Sequence, residues 1–316
     1  MLVWQAILGL VAGGVILIIS SEKVVDQLIK LSKIIGLSIF TIGFIVASIG
    51  SDLPEIINSF ISAYLGHGDI SVGDSLGSVM TQITLILGLI PFFCNFCRLI
   101  PSTFKYVGAV EVGVLLLSIF VTADGTVTRL DGVFLIMVWG ISMIVLRRFA
   151  EQRVVLDESI ELEEEPRENM PKILTWLLIG FAGIGLGSYV VIESSIQISR
   201  YLGISEYIIS FFLVSLGTSL PELVVGVAAI RKQHFDLAVG DIIGSCIVDS
   251  TLAIGLGPLF FPIQVTGSYV LITGLYAVFA SVVVVGVLTW RGVNDKRTGS
   301  LFILVYLFSY LLPSLL

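Results

Sequence analysis

Six acidic residues stand in stretches otherwise apolar enough to cross a bilayer: Asp52, Glu55, Asp74, Glu222, Asp241 and Asp249. A charged side chain near mid-bilayer costs roughly 2.5–3.5 kcal/mol on insertion scales, and no Lys or Arg lies beside these acids in sequence to offset that cost. A bound cation or proton is the economical compensation. Helical spacing groups the polar atoms: Ser51 with Glu55 and Thr218 with Glu222 are i,i+4 pairs, while Asp74, Ser78, Gln82 and Asp241, Ser245, Asp249 form i,i+4,i+8 stripes. Carboxylate, hydroxyl and carbonyl oxygens without thiol or imidazole suit a hard cation such as Ca2+ or Na+.

These residues occur in two copies 167 positions apart, Ser48 to Pro91 and Ser215 to Pro258. The first copy opens Ser48-Ile49-Gly50-Ser51-Asp52-Leu53-Pro54-Glu55 and the second Ser215-Leu216-Gly217-Thr218-Ser219-Leu220-Pro221-Glu222; the same offset pairs His67 with His234, Asp74 with Asp241 and Ser78 with Ser245. An internal repeat carrying carboxylates at membrane depth marks a transporter whose ion site lies where two halves meet. Pro54 and Pro221 cannot donate to the carbonyls of Gly50 and Gly217, so each helix is expected to loosen there and to offer carbonyl oxygens to ions.

The elements that must position these groups follow from composition. Hydrophobic residues make up 56% of the chain and charged residues 13%, with a mean hydropathy of +1.04, whereas soluble domains carry about 25% charged residues. Apolar runs near the length of a membrane helix fall at 2–20, 37–65, 70–90, 106–123, 130–147, 173–191, 205–230, 237–258, 268–289 and 299–315. The expected fold is an all-α integral membrane protein of ten transmembrane helices. Five per repeat is odd, so the repeats are inverted: 1–150 the first five-helix repeat, 151–171 an acidic cytoplasmic linker, 172–316 the second repeat. Fifteen of the 17 Lys and Arg fall on one set of connections, and only Arg129 and Arg200 on the other. The positive-inside rule then places both termini outside, in the cell membrane. The linker run from Glu151 to Glu168 holds much of the net charge of -7 and reads as a solvated tether.

The duplicated motifs resemble the alpha-repeats of the sodium/calcium exchanger family, prokaryotic type, within the cation/calcium antiporter superfamily. Its G-T-S-x-P-E stands intact as Gly217 to Glu222, and its G-S-x-x-x-D/N as Gly244 to Asp249. The resemblance implies an antiporter with Glu55 and Glu222 at the centre of a calcium site, assisted by Ser51 and Thr218. It implies sodium sites around that centre drawing on Ser48, Ser78, Ser215, Ser219, Ser245 and Asp249, and spans 1 and 6 that slide against a core of spans 2, 3, 7 and 8. The first copy departs from the family pattern, with Asp52 where serine is usual, Ser51 for threonine and Gln82 for Asn or Asp; Asp74 and Asp241 stand where Asn is common. Calcium/sodium exchange is the expected function. Proton-coupled or other cation-coupled calcium exchange is the alternative that Asp52 and Gln82 raise.

A cation channel would explain the acids but not antiparallel copies, and an intramembrane aspartyl protease would use Asp74 and Asp241 but leave Glu55 and Glu222 without a role. No organic cofactor, nucleic acid or obligatory protein partner is implied; the bilayer and the transported Ca2+ and Na+ are the partners. Cys94 and Cys97 form a lone CxxC, and three cysteines supply no disulfide framework. His67 and His234 read as surface groups, and Glu111 and Glu193 as interfacial acids.

Overall fold

The computed structural model describes residues 3–36, 39–94, 96–99, 101–154, 170–199 and 206–312. Backbone amides in a bilayer must bond within their own segment, so apolar runs of this length become helices. Among the described residues there are twelve: α1 (Val3–Ile35), α2 (39–51), α3 (Leu53–Leu65), α4 (Gly68–Phe93), α5 (Pro101–Thr122), α6 (Arg129–Val154), α7 (Met170–Ser199), α8 (206–218), α9 (Leu220–Arg231), α10 (Phe235–Phe260), α11 (Gly267–Arg291) and α12 (Lys296–Ser309). Among the described residues, seven helices are long and apolar enough to cross a membrane, or eight if the bent pair 11–51 counts as one span.

The structure adds what the apolar runs did not announce. Two short antiparallel ladders join the halves, Phe96–Arg98 (β1) with Val293–Asp295 (β4) and Thr126–Val127 (β2) with Ile263–Gln264 (β3). Lys23, Lys30 and Lys33, assigned to a loop by hydropathy, lie on α1, which continues past the apolar run to Ile35. Helices α6 and α7 reach into the expected linker, and its remaining residues 155–169 lie outside the described residues. Cys94 is disulfide-bonded, contrary to the expectation from cysteine count, while Cys246 is a buried free thiol.

The centre is made by α4 and α10, whose apolar windows are 78% and 94% buried, against 28% for α6 and α7. Each crosses the broken helix of the other half at near-contact distance. A Cβ on Gly77 would lie 2.1 Å from the Phe211 carbonyl of α8, and one on Gly244 would lie 2.5 Å from the Phe44 carbonyl of α2. Small residues permit such backbone approach in membranes. Helices α1 and α7 pack antiparallel along their lengths, with Gly180 facing Val24, Gly183 facing Ser20 and Gly187 facing Gly13. Asp69 fixes the start of α4 to that of α11, accepting from the Thr266 N–H at 2.6 Å and its hydroxyl at 2.8 Å.

Candidate ion-binding site

The two broken helices carry the site. At Asp52 the backbone adopts φ −78°, ψ 4°, and at Ser219 φ −79°, ψ 4°; Pro54 and Pro221 occupy the first turns of the helices that follow. Proline suits that position because its missing N–H is one the helix start does not use. The break is local: Asp52 N–H still donates to Ser48 at 2.9 Å and Ser219 N–H to Ser215 at 3.0 Å, and the Gly217 carbonyl also receives the Ser219 N–H rather than standing wholly free. Each break is preceded by a π-helical segment, Gly43–Ala47 and Ser210–Val214, and two more, Thr81–Ile86 and Asp249–Ala253, sit in α4 and α10 beside the site. Such insertions recur at functional sites, and here they carry Gln82 and Asp249.

Asp52, Glu55 and Glu222 converge: one carboxylate oxygen from each lies within 4.8 Å of the others. All three side chains are fully buried, no N–H or O–H donor bonds any of their six oxygens, and the Asp52 and Glu222 carboxyls stand close enough to share a proton. Neither Lys nor Arg occurs among the buried residues described, and the ion pairs in the described part, such as Lys232 with Asp26, are partly exposed. Asp249 stands within electrostatic reach of the three and is held by Gln82, whose Nε2 donates to Oδ2 at 2.9 Å while Oδ1 is unpartnered. Buried polar atoms are otherwise almost always paired. The arrangement is a buried cluster of oxygen acceptors whose chemistry suits a hard cation.

The hydroxyl residues surround it unevenly. Ser51 Oγ lies 3.3 Å from Asp241 Oδ1, and Thr218 Oγ1 donates to Asp74 Oδ1 at 3.1 Å with Ser78 Oγ 3.3 Å away. Ser48 and Ser215 donate to the carbonyls of Phe44 (2.6 Å) and Phe211 (2.5 Å), which leaves their lone pairs open to a cation. Ser219 Oγ and Ser245 Oγ have no partner. The structure thus gathers Asp52, Glu55 and Glu222 directly, links Gln82 to Asp249, and sets Ser51 and Thr218 against flanking aspartates. Glu111, expected at the interface, is instead fully buried and accepts from Ser281 at 2.9 Å. Polarity alone could not distinguish a headgroup position from a packed one. The side chain of Glu193 lies outside the described residues. Outside the spans, burial and then the charge of Lys33 hold the His234 imidazole below its ordinary pKa.

The family model described as sodium/calcium exchanger protein matches residues 5–147 and 172–314, nearly the whole chain in two blocks. The chain belongs to the sodium/calcium exchanger family. It is 32% identical over 262 residues to the inner membrane protein YrbG of Escherichia coli K12, covering 80% of this chain and 79% of that protein. The sodium/calcium exchanger MaX1 of Methanosarcina acetivorans is 24% identical over 304 residues, covering 81% and 83%. Among solved structures, the sodium-calcium exchanger NCX_Mj soaked with Na+ and Sr2+ superposes with a TM-score of 0.79 at 26% identity, covering 98% of each chain. Family membership makes the protein a multi-pass membrane transporter and not an enzyme, so the protease reading falls.

Proposed function

We propose that the chain is a secondary antiporter that exports Ca2+ in exchange for Na+ by alternating access. The observation that carries this reading is the cluster of six unpartnered carboxylate oxygens from Asp52, Glu55 and Glu222 in a fully buried site without basic residues. A hard divalent cation wants six to eight oxygens at about 2.3–2.6 Å, which carboxylates supplemented by Ser51 and Thr218 can supply. Na+ would use the same acids with Ser48, Ser78, Gln82, Ser215, Ser219, Ser245 and Asp249. Because the ligands are shared, loading one species displaces the other.

Ten crossings arranged as two inverted five-helix repeats, 1–150 and 172–316 about the linker 151–171, accommodate this mechanism, with both termini outside. The recurrence of the π-helical segments and helix breaks at one sequence offset supports the reading, as do the two matched blocks. Helices α1 and α7 would slide over the core together, held to each other where Val24, Ser20 and Leu17 of α1 fill the glycine notches of α7.

A second reading has one specific observation in its favour. Asp52 places a carboxylate in the cluster where the family pattern has a serine, so Asp52, Glu55, Glu222 and Asp249 bring four potential negative charges against two on Ca2+. Protons can take up the difference, and exchange would then be coupled to H+. Uptake of 45Ca2+ into proteoliposomes under separately imposed Na+, K+ and H+ gradients decides between these. Uptake driven by outward Na+ alone supports the first reading, and uptake driven only by a pH gradient replaces it with the second.

A further inference from the structure

The two halves of the site are not equivalent, and the difference lies in the flanking aspartates. Asp74 has both oxygens occupied: Oδ1 accepts from Thr218 at 3.1 Å and Oδ2 from Asn58 Nδ2 at 2.5 Å. Its counterpart Asp241 meets Ser51 through Oδ1 at 3.3 Å, but Oδ2 has no partner although the residue is fully buried. The position equivalent to Asn58 is Val225, which has nothing to donate. The serines one turn further along repeat the pattern, since Ser78 Oγ is engaged with Thr218 while Ser245 Oγ is buried and unpartnered. Asp241 and Ser245 share a face of α10 at i,i+4, and Asp241 lies within electrostatic reach of Glu222.

A buried anionic oxygen without a donor costs more than a neutral one, so this pair of open oxygens requires a positive partner that the Asp74 side does not. We propose that Asp241 is a cation ligand which, with Ser245 and Glu222, completes a monovalent-ion site in the second half, and that in the first half Asn58 withdraws the matching aspartate, Asp74, from the ligand set. Resting on the reading of the centre as a cation site, this makes the exchanger's monovalent sites in the two halves unequal in ligand charge. Val225, which touches no ion, sets the difference by what it fails to donate.

The test exchanges the two neighbours. Val225→Asn supplies Asp241 with the donor Asp74 already has, and Asn58→Val removes that donor from Asp74. Purified protein in detergent is titrated with NaCl against choline chloride, following both thermal unfolding and displacement of bound 45Ca2+. Val225→Asn is expected to raise the half-saturating Na+ concentration roughly tenfold, about 1.4 kcal/mol, and to lower the Hill coefficient, with Ca2+ affinity in the absence of Na+ within about twofold of wild type. Asn58→Val is expected not to weaken Na+ binding. Unchanged Na+ saturation in Val225→Asn, or equal weakening in both variants, overturns the inference while leaving the central site intact. Wild-type protein that binds no Ca2+ overturns the underlying reading itself. Asp241→Asn keeps the acceptor for Ser51 and removes the charge, so it should reproduce the Na+ defect if Val225→Asn fails to fold; a wild-type Na+ response there overturns the proposal as well.

Discussion

Glu222 and Glu55 approach within 4.8 Å through one carboxylate oxygen each, with every carboxylate oxygen unpartnered, so replacing either by Gln removes a charge without changing the volume. Charge-assisted contacts to the ion are the strong ones, and each single change is expected to lower Ca2+ flux by on the order of 100-fold or more in a 45Ca2+ uptake assay. Asp52→Ser restores the family residue and should leave Ca2+ uptake active while flattening its pH dependence; a pH profile identical to wild type would remove Asp52 from any proton coupling. His234 contributes in the opposite sense. Its folded pKa is held below the ordinary 6.5, so the stability linked to it is present above about pH 6.5 and declines as pH falls below that, where the unfolded chain takes up the proton first. His234→Gln should therefore leave the transport profile above pH 7 unchanged. The candidate acids stood out because acids in apolar sequence have few other uses, and the duplication singled out the same positions. What the residues did not disclose was pairing: nothing in the spacing places Asn58 on Asp74 or Gln82 on Asp249, since those bonds cross between helices whose relative rotation is set by packing.

At the scale of elements, the glycines on α4 and α10 turn out to be packing residues that bring backbone to backbone. Gly244→Ala would drive a methyl to 2.5 Å from the Phe44 carbonyl, and Gly77→Ala to 2.1 Å from that of Phe211. Overpacking of this kind costs about 1–3 kcal/mol, and because the strained contact is backbone on both sides it should also spread the site, lowering Ca2+ affinity alongside the unfolding midpoint. The start of α12 offers a control away from the ions. Asp295 there accepts from the N–H groups of Arg297 and Thr298 while the Thr298 hydroxyl receives the Asp295 N–H, a capping box. Asp295→Ala should cost about 1 kcal/mol in thermal unfolding with Ca2+ affinity unchanged. The helix breaks were readable from Pro54 and Pro221. The π-helical segments were not, because an extra residue in a turn leaves no compositional trace and is paid back only by the side chains it re-aims, here Gln82 and Asp249.

For the whole molecule, hydropathy identified a helical membrane protein, and the internal repeat falls within the two blocks, 5–147 and 172–314, that the family model matches. Hydropathy misjudged α1 because the charged stretch Glu22 to Lys33 continues the helix beyond its apolar part, and it could not foresee the β1–β4 and β2–β3 ladders, whose strands are three residues or fewer and pair across the halves. If the linker serves only as a tether, replacing the acidic run with a Gly/Ser segment of equal length should leave exchange rates within about twofold, since flexible linkers of similar reach are interchangeable. The central claim, Ca2+ exchanged for Na+ through one shared set of carboxylates, is tested most directly by 45Ca2+ uptake into Na+-loaded proteoliposomes diluted into Na+-free medium. The account predicts uptake that requires the outward Na+ gradient, stops when external Na+ is equalised and is lost in Glu222→Gln; uptake that persists without Na+ or survives that substitution would contradict it.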